Sequence, residues 1–250
     1  MSKKWLKVAL MVTAIATGTS IQVDAETVLY VPQDDRPVSL QYTVDTAKAA
    51  GMTVLTPPQN LISGKTYKGQ ADQIWNWVEQ NAGRADVMVL STDTLIYGGL
   101  VDSRKHNLPL STLENRLKRI EALKANHKNI RIYGFGTVMR SPRASGGGTE
   151  PSYYADYGPT IFQIAALQDK LDAGTLTQAE TQKLMSLQAS VPVEYLQDWF
   201  SRRQKNMQVN KDLIDEARNG VFAYFALGHD DTSQLSQSAL EGRYLNQYSK

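Results

Sequence analysis

Five short apolar runs, separated by segments with helical periodicity, constrain the fold of this chain more than any other feature of its sequence. Their residues are continuously apolar rather than alternately apolar and polar, which is typical of strands buried on both faces. The alternation of such strands with helices predicts right-handed crossovers and a mostly parallel sheet. The predicted strands are residues 28–31, 53–56, 87–91, 130–138 and 221–227. The expected fold class is therefore α/β, either an open doubly wound sheet of about five strands with flanking helices or the front part of a barrel-like or longer α/β architecture.

The intervals between these runs carry helix signals. Apolar spacing predicts helices over residues 40–50, 70–81, 111–126 and 192–219. Ser111 with Glu114, and Thr177 with Glu180, have the spacing of helix capping boxes. Residues 141–159 are rich in Gly, Pro, Ser and Tyr and predict a long loop. A loop of this length in a compact domain is usually a lid or a binding loop.

The first 25 residues have the pattern of a signal peptide. Three lysines precede an apolar stretch, residues 8–16, that is too short to span a bilayer well. Val23 and Ala25 place small residues at positions −3 and −1 of a cut after Ala25. An uncleaved anchor helix is the alternative. We expect a secreted or extracytoplasmic protein without a stable membrane anchor after cleavage, with an α/β domain over 26–250 and a loop and helical insertion at about 141–190.

Charge balance and cysteine content exclude several classes of protein. Of the 27 basic and 25 acidic residues, three lysines and one aspartate lie in the leader, which leaves 24 of each sign in the rest of the chain. A chain without a basic excess is not expected to bind nucleic acid or an anionic membrane surface. The chain has no cysteine, which excludes disulfides, thiolate metal sites and thiol nucleophiles.

Charged residues follow four of the five predicted strands. Because the carboxyl ends of parallel strands share one edge of a sheet, and ligands bind there, these side chains are expected to converge. Each could instead be only a helix cap. Like charges on one edge repel one another unless a ligand, a metal, an arginine or a shared proton relieves them. The residues are Asp34, Asp35 and Arg36 after the first strand, Asp93 and then Tyr97 after the third, Arg140 after the fourth, and Asp230 and Asp231 after the fifth.

The predicted loop adds Glu150, Tyr153 and Tyr154 to these candidates. Tyrosines at a polar rim can stack on sugar rings, but they can equally cover the core under a loop. The spacing of the three histidines does not indicate a metal site. His106 and His127 lie in polar surroundings and are predicted at the surface.

One further pattern lies in the last long helix. Arg202, Asn206 and Asn210 share one helical stripe. Such a polar stripe is usually solvated, although asparagine is a poor helix former and suggests a hydrogen-bonding role.

Several of these segments resemble the bacterial DUF4127 family. They are VPQDDRP at 31–37, DTLIYGGLVDSR at 93–104, MRSP at 139–142, and DDTS at 230–233 followed by Glu241. The resemblance spans about residues 27–246 and has the motifs in the family's order. It implies that these blocks form one family-wide site and that family proteins continue beyond this point with further α/β segments. It assigns no activity, because the family is named for having none. The glycines at 146–148 depart from the more polar sequence expected before Glu150.

Paired carboxylates favour an exported hydrolase, most plausibly a glycoside hydrolase, acting on a carbohydrate. Such an enzyme needs one protonated and one ionised carboxyl group, and a cluster of acids raises the pKa of one member. Asp93 or Asp231 is the expected acid, and Asp35 the base or nucleophile. The expected substrate-binding residues are Asp34, Arg36, Tyr97, Arg140, Glu150, Tyr153, Tyr154 and Asp230.

Two other functions fit the same residues. A metal-dependent hydrolase would use the aspartates as oxygen ligands for Mg²⁺ or Ca²⁺, although no cofactor is required by the first hypothesis. A non-catalytic protein would bind a glycan or another small polar ligand through the same carboxylates and tyrosines.

Overall fold

A computed structural model describes residues 25–144, 147–230 and 233–250 of the chain. Its five strands form one sheet in the order β2-β1-β3-β4-β5, and every neighbouring pair is parallel. This confirms the predicted α/β fold with an open sheet. The strands are β1 (Thr27–Val31), β2 (Thr53–Leu55), β3 (Val87–Ser91), β4 (Arg131–Val138) and β5 (Tyr224–His229).

Nine α-helices lie in the described part of the chain. They are α1 (Gln41–Ala49), α2 (Ala71–Asn81), α3 (Thr92–Tyr97), α4 (Leu100–Lys105), α5 (Leu110–Asn126), α6 (Tyr154–Asp172), α7 (Gln178–Ala189), α8 (Val193–Arg218) and α9 (Gln237–Tyr248). Short 3₁₀ turns occupy Gln59–Leu61 and Ala82–Arg84. Within the described residues no helix has the length and apolar character needed to cross a bilayer.

The main core lies on one face of the sheet. The connections from β2 to β3, β3 to β4 and β4 to β5 run in the same direction, so right-handed crossovers put α2, α5 and α8 on the same side. The indole nitrogen of Trp75, on α2, donates to the carbonyl oxygen of Leu95 at 2.8 Å. The core on this face includes Leu29, Trp75, Met88, Leu90, Leu117, Ile132 and Leu213.

The opposite face is less covered than the continuous apolar runs predict. Of the described helices, α1 borders this face, and none of its residues is buried. Burial alternates along β4, where Gly134 and Gly136 are buried and Tyr133 and Phe135 only partly so. The expectation of strands buried on both faces is therefore wrong for β4, because one crossover alone, from β1 to β2, runs in the other direction.

Two local predictions also need correction. Pro109 takes the N-cap position of α5, one residue before Leu110, without a side-chain cap, so Ser111 falls inside the first turn and the first capping box is wrong. The second box, Thr177 with Glu180, is confirmed.

The predicted loop at 141–159 ends earlier, because α6 starts at Tyr154 and continues through Pro159. The ring of Tyr154 packs 4.6 Å from Trp199 in a second core cluster formed by α6, α7 and α8. Burial of large side chains here offsets the backbone hydrogen bond that proline cannot make.

Candidate functional site

Asp93 joins the ends of three adjacent strands. The amide nitrogen of Gln33, two residues beyond β1, donates to Oδ2 of Asp93 at 2.8 Å, and the hydroxyl of Thr137 on β4 donates to the same oxygen at 2.8 Å. The strand order reverses direction between β1 and β3. Open α/β sheets bind ligands in the crevice outside such a switch point, so Asp93 lies where a ligand site is expected.

Local structure fixes Asp93 in that position. Ser91 caps α3 by accepting a hydrogen bond from the backbone nitrogen of Thr94 at 3.2 Å. The hydroxyl of Thr94 donates to the carbonyl of Pro32 at 2.7 Å, which joins α3 to the segment after β1. The helix ends at Gly98, whose φ of 111° lies in the left-handed region that favours glycine. Asp93 is therefore held in the first turn of a short helix between two strand ends.

Burial changes the acidity of Asp93. Only 2% of its surface is exposed, and this desolvation raises its pKa to about 6, against the opposing effect of the Gln33 and Thr137 hydrogen bonds. The carboxyl group can therefore take up a proton near neutral pH.

Arginines tie the remaining strand ends together. Arg104, on α4, is buried and forms an ion pair with Asp230, which directly follows β5. One of its nitrogens also lies 4.0 Å from the carboxylate of Glu150. Arg140, two residues beyond β4, forms a closer ion pair with Glu150 and donates to the hydroxyl of Thr149 at 2.7 Å.

The turn after β1 lies at the same edge of the sheet, and we call this edge the rim. Asp34 accepts hydrogen bonds from the backbone and side-chain nitrogens of Arg36, at 3.2 and 2.8 Å. The hydrogen bond to Asp34, followed by the charges of Asp34, Asp230 and Asp35, raises the pKa of Arg36 while burial opposes the rise. The charge of Arg36 therefore interacts with acids that follow both β1 and β5. Asp35 accepts a hydrogen bond from the hydroxyl of Tyr67.

The structure thus brings most of the predicted site residues to one edge of the sheet. Those at the rim are Asp34, Asp35, Arg36, Asp93, Arg140, Glu150 and Asp230. Asp231 lies outside the described residues. Tyr97 is buried on α3, with its ring centroid 4.9 Å from that of His106.

The two loop tyrosines pack against α8. Tyr154 has no exposed surface, and its hydroxyl donates to the carbonyl of Pro142 at 2.8 Å. Tyr153 donates to Asp198 at 2.6 Å and stacks on Tyr195 with ring centroids 4.7 Å apart. A fully buried ring offers no face to a ligand, so Tyr154 is placed as a core residue.

Sequence reasoning missed Arg104 as a site residue. Its signal was present, because Arg104 lies in the segment that follows β3 and carries a charge opposite to the acids expected at that edge. Gln33 and Thr137 were also missed; neutral side chains beside a strand end give no charge signal.

A polar network lies beside the rim, where surface residues were expected. Nε2 of His106 lies 2.7 Å from Oδ1 of Asn206, and Arg202 donates to the carbonyl of His106 at 2.5 Å. All three residues are buried, and burial lowers the pKa of His106 to about 4, so this imidazole is neutral at pH 7. The surface prediction for His106 is wrong because the α8 stripe of Arg202 and Asn206 covers it.

Arg203 holds the backbone at Arg140 in place. Its guanidinium makes two hydrogen bonds of 2.7 Å to Glu241 on α9 and donates to the carbonyls of Met139 and Arg140 at 2.7 and 2.9 Å. This buried side chain therefore fixes the backbone from which Arg140 reaches the rim.

The rim acids are arranged as individual pairs. Among the described residues no three acidic or histidine side chains gather closely enough to hold a metal ion. Asp34 is paired with Arg36, Asp230 with Arg104, and Asp93 with neutral donors. Each of these acids thus has an arginine or a neutral hydrogen-bond donor as its partner.

An all-parallel open sheet with polar side chains gathered at its switch point defines a doubly wound α/β protein. A family model described as "Protein of unknown function (DUF4127)" matches residues 28–250, so the chain belongs to that family, as its motifs predict. No curated protein and no solved structure matches the chain.

Proposed function

We propose that this protein is a hydrolase of the glycoside hydrolase type, with Asp93 as its general acid. The observation that carries the proposal is a buried carboxyl group at the switch point of the sheet, with a pKa raised to about 6, on the same edge as several arginine-paired carboxylates. Glycoside hydrolysis needs this combination of one protonated and one ionised acid. A pKa near the working pH also suits a group that both gives and recovers a proton.

Asp35 is the favoured second carboxylate. It is partly exposed, follows the strand next to that of Asp93, and is held by the hydroxyl of Tyr67. In this role it would activate water or attack the sugar directly. Asp231 remains a second candidate on sequence grounds.

The exposed arginines suit a role in substrate orientation. The side chain of Arg36 is 53% exposed and that of Arg140 is 24% exposed, while their partners Asp34 and Glu150 are buried. Within the described residues, Nη1 of Arg140 has no hydrogen-bond partner. These arginines would donate to sugar oxygens, and the buried acids would hold the arginines in place.

Asp93→Asn tests the role of the acid with little change in shape. The matched control is Asp86→Asn, at the opposite end of the same strand, where an exposed carboxylate accepts a hydrogen bond from the backbone nitrogen of Thr27. We expect Asp93→Asn to lower the rate of reducing-end release by about 10² to 10⁴-fold, the usual contribution of a general acid. The panel should contain soluble neutral and acidic glycans. Equal rates in Asp93→Asn and Asp86→Asn would remove Asp93 from catalysis.

A non-catalytic glycan-binding protein is the second candidate. The observation in its favour is that Asp34, Glu150 and Asp230 are each already neutralised by an arginine. Such pairs can hydrogen-bond sugar hydroxyls without proton transfer. This function predicts a higher Tm with a glycan and no reducing ends released.

An extracytoplasmic location is part of both candidates. Expression of the full chain and N-terminal sequencing of the exported product test it. The expected first residue is Glu26, and a product that begins at residue 1 or 2 in the cytoplasm would contradict it.

A further inference from the structure

Three lysines lie on segments that border the rim. Lys65 and Lys68 belong to the loop that follows the 3₁₀ turn after β2, and Lys105 ends α4. All three side chains are exposed, and none takes part in an ion pair among the described residues. The charges of Lys68 and Lys105 act on the carboxylate of Asp102 without pairing with it, and all three ammonium groups remain at the surface.

Hydrogen bonds connect the loop at 63–69, which carries Lys65 and Lys68, to the rim. The backbone nitrogen of Asp35 donates to the carbonyl of Ser63 at 2.9 Å, and Tyr67 donates to the Asp35 carboxylate. The backbone nitrogen of Gly69 donates to Asp102 on α4 at 3.0 Å. The loop at 63–69 is thus held between the turn after β1 and the helix that carries Arg104.

Two of the lysines approach one segment beside the rim. Nζ of Lys105 donates to the carbonyl of Gly148 at 2.9 Å. Nζ of Lys65 lies 3.9 Å from the point that a Cβ on Gly147 would occupy. Lys65 and Lys105 therefore approach the same segment, which leads directly to Glu150.

Charge at this edge is layered by depth. Asp34, Asp93 and Glu150 are at most 5% exposed, and Asp34 and Glu150 are paired with arginines. The exposed outer layer instead contains the three lysines and the partly exposed Arg36. At the surface a ligand therefore meets these cations together with the partly exposed carboxylates of Asp35 and Asp230, although the chain outside the leader has no net charge.

We propose that the rim binds an anionic glycan, a polysaccharide that carries carboxylate or phosphate groups. This inference rests on the proposed function and names its substrate class. Exposed ammonium groups attract an anionic chain over a distance of about 10 Å at 0.1 M salt. The sugar hydroxyls would then lie on the paired arginines and carboxylates below.

Binding to matched polymers tests the inference without cleavage. Three forms of the full chain are compared, and all three carry Asp93→Asn so that no cleavage occurs. One has no other change, and each of the other two has three lysines replaced. The test variant is Lys65→Gln/Lys68→Gln/Lys105→Gln, and the control is Lys48→Gln/Lys118→Gln/Lys183→Gln, which removes three exposed charges from α1, α5 and α7. The probes are polygalacturonate, its fully methyl-esterified neutral form and poly(glycerol phosphate), measured by calorimetry at low salt.

We expect at least one polyanion to bind, and the test variant to weaken that binding by about tenfold while the control leaves it unchanged. A preference for polygalacturonate or for poly(glycerol phosphate) identifies the charged group. Salt at 0.3 M should weaken polyanion binding, and the neutral polymer should bind less tightly than polygalacturonate. Equal affinity for the charged and neutral polymers, equal binding by both triple variants, or no polyanion binding overturns the inference.

The outcomes also separate this inference from the proposed function. Cleavage of neutral glycans alone by the unmodified chain would support a hydrolase and refute the anionic substrate. Lysine-dependent polyanion binding, with no cleavage by the unmodified chain, would support an anionic ligand and refute hydrolysis.

Discussion

Two arginine–glutamate pairs of this protein differ in depth and in what else they bond. The side chains of Arg203 and Glu241 are 1% and 9% exposed, and every nitrogen of that guanidinium donates to a carboxylate or a backbone carbonyl. The side chain of Arg140 is 24% exposed, and its Nη1 has no partner among the described residues. The guanidinium of the deep pair is saturated and stabilises the scaffold, whereas the guanidinium of Arg140 keeps a donor at the surface.

The largest expected effect on stability comes from breaking the deep pair. Arg203→Met leaves Glu241 buried without its cation and frees the carbonyls of Met139 and Arg140, so we expect a loss of about 3 to 5 kcal/mol in the free energy of unfolding. Urea denaturation measures it. A loss below about 1 kcal/mol would show that the deep pair is no more important to the fold than a surface pair.

The next largest effect is the pH dependence of stability that Asp93 causes, because this acid is buried without an arginine partner among the described residues. The pKa of Asp93 is raised from 3.8 to about 6, so between these values the native state holds a proton that the unfolded chain has released. Stability is therefore lost as pH rises through that window, by about 3 kcal/mol in total. Asp93→Asn lacks this loss, so the variant should gain stability relative to the parent from pH 4 to pH 7. Parallel pH profiles of the two proteins would contradict the raised pKa.

A smaller effect on folding is expected at the rim pair. Arg140→Gln leaves Glu150 with partners that include Thr149 and the more distant Arg104, so the loss of stability should be about 1 to 2 kcal/mol. Ligand binding should suffer more than folding, because this side chain reaches solvent. Calorimetry and urea denaturation on the same variant compare the two, and an effect on stability alone would move Arg140 to the scaffold.

The smallest effect on stability is expected at an exposed ion pair, which serves as the reference for the two pairs above. Arg218 and Asp215 form an exposed ion pair on α8, with side chains 42% and 41% exposed. Arg218→Gln should cost less than about 1 kcal/mol and depend on salt. A cost as large as that of Arg203→Met would mean that burial does not set the strength of these pairs.

Strand ends were predictable from sequence, whereas partners across the fold were not. Apolar runs locate strands, and parallel topology gathers their carboxyl ends, so Asp34, Asp93 and Asp230 could be assigned to one edge. Burial raises the pKa of Asp93, and hydrogen bonds from Gln33 and Thr137, which are 60 and 44 residues away in sequence, oppose the rise. Spacing along one element cannot reveal such contacts.

Helical stripes were ambiguous for a related reason. Arg202, Asn206 and Asn210 repeat at helical spacing, and periodicity alone does not say whether a polar stripe meets water or another polar surface. The structure settles this through His106 and Ser103, whose carbonyls accept hydrogen bonds from Arg202 and Asn206. A buried polar stripe needs complementary partners on other elements, and these are fixed only when the fold is complete.

The alternation of small and large residues along β4 links the pairing register of the sheet to the hydrogen bond that Asp93 accepts. A Cβ on Gly134 would stand 2.6 Å from the ring of Phe222, so the covered side of this strand has no room for the larger side chains that alternate with its glycines. A slip of one residue would turn Tyr133 and Phe135 into that space and rotate the hydroxyl of Thr137 away from Asp93. A misregistered sheet would thus lose a hydrogen bond that lowers the pKa of Asp93 together with part of its core packing, so the acidity of this carboxyl group depends on the native register.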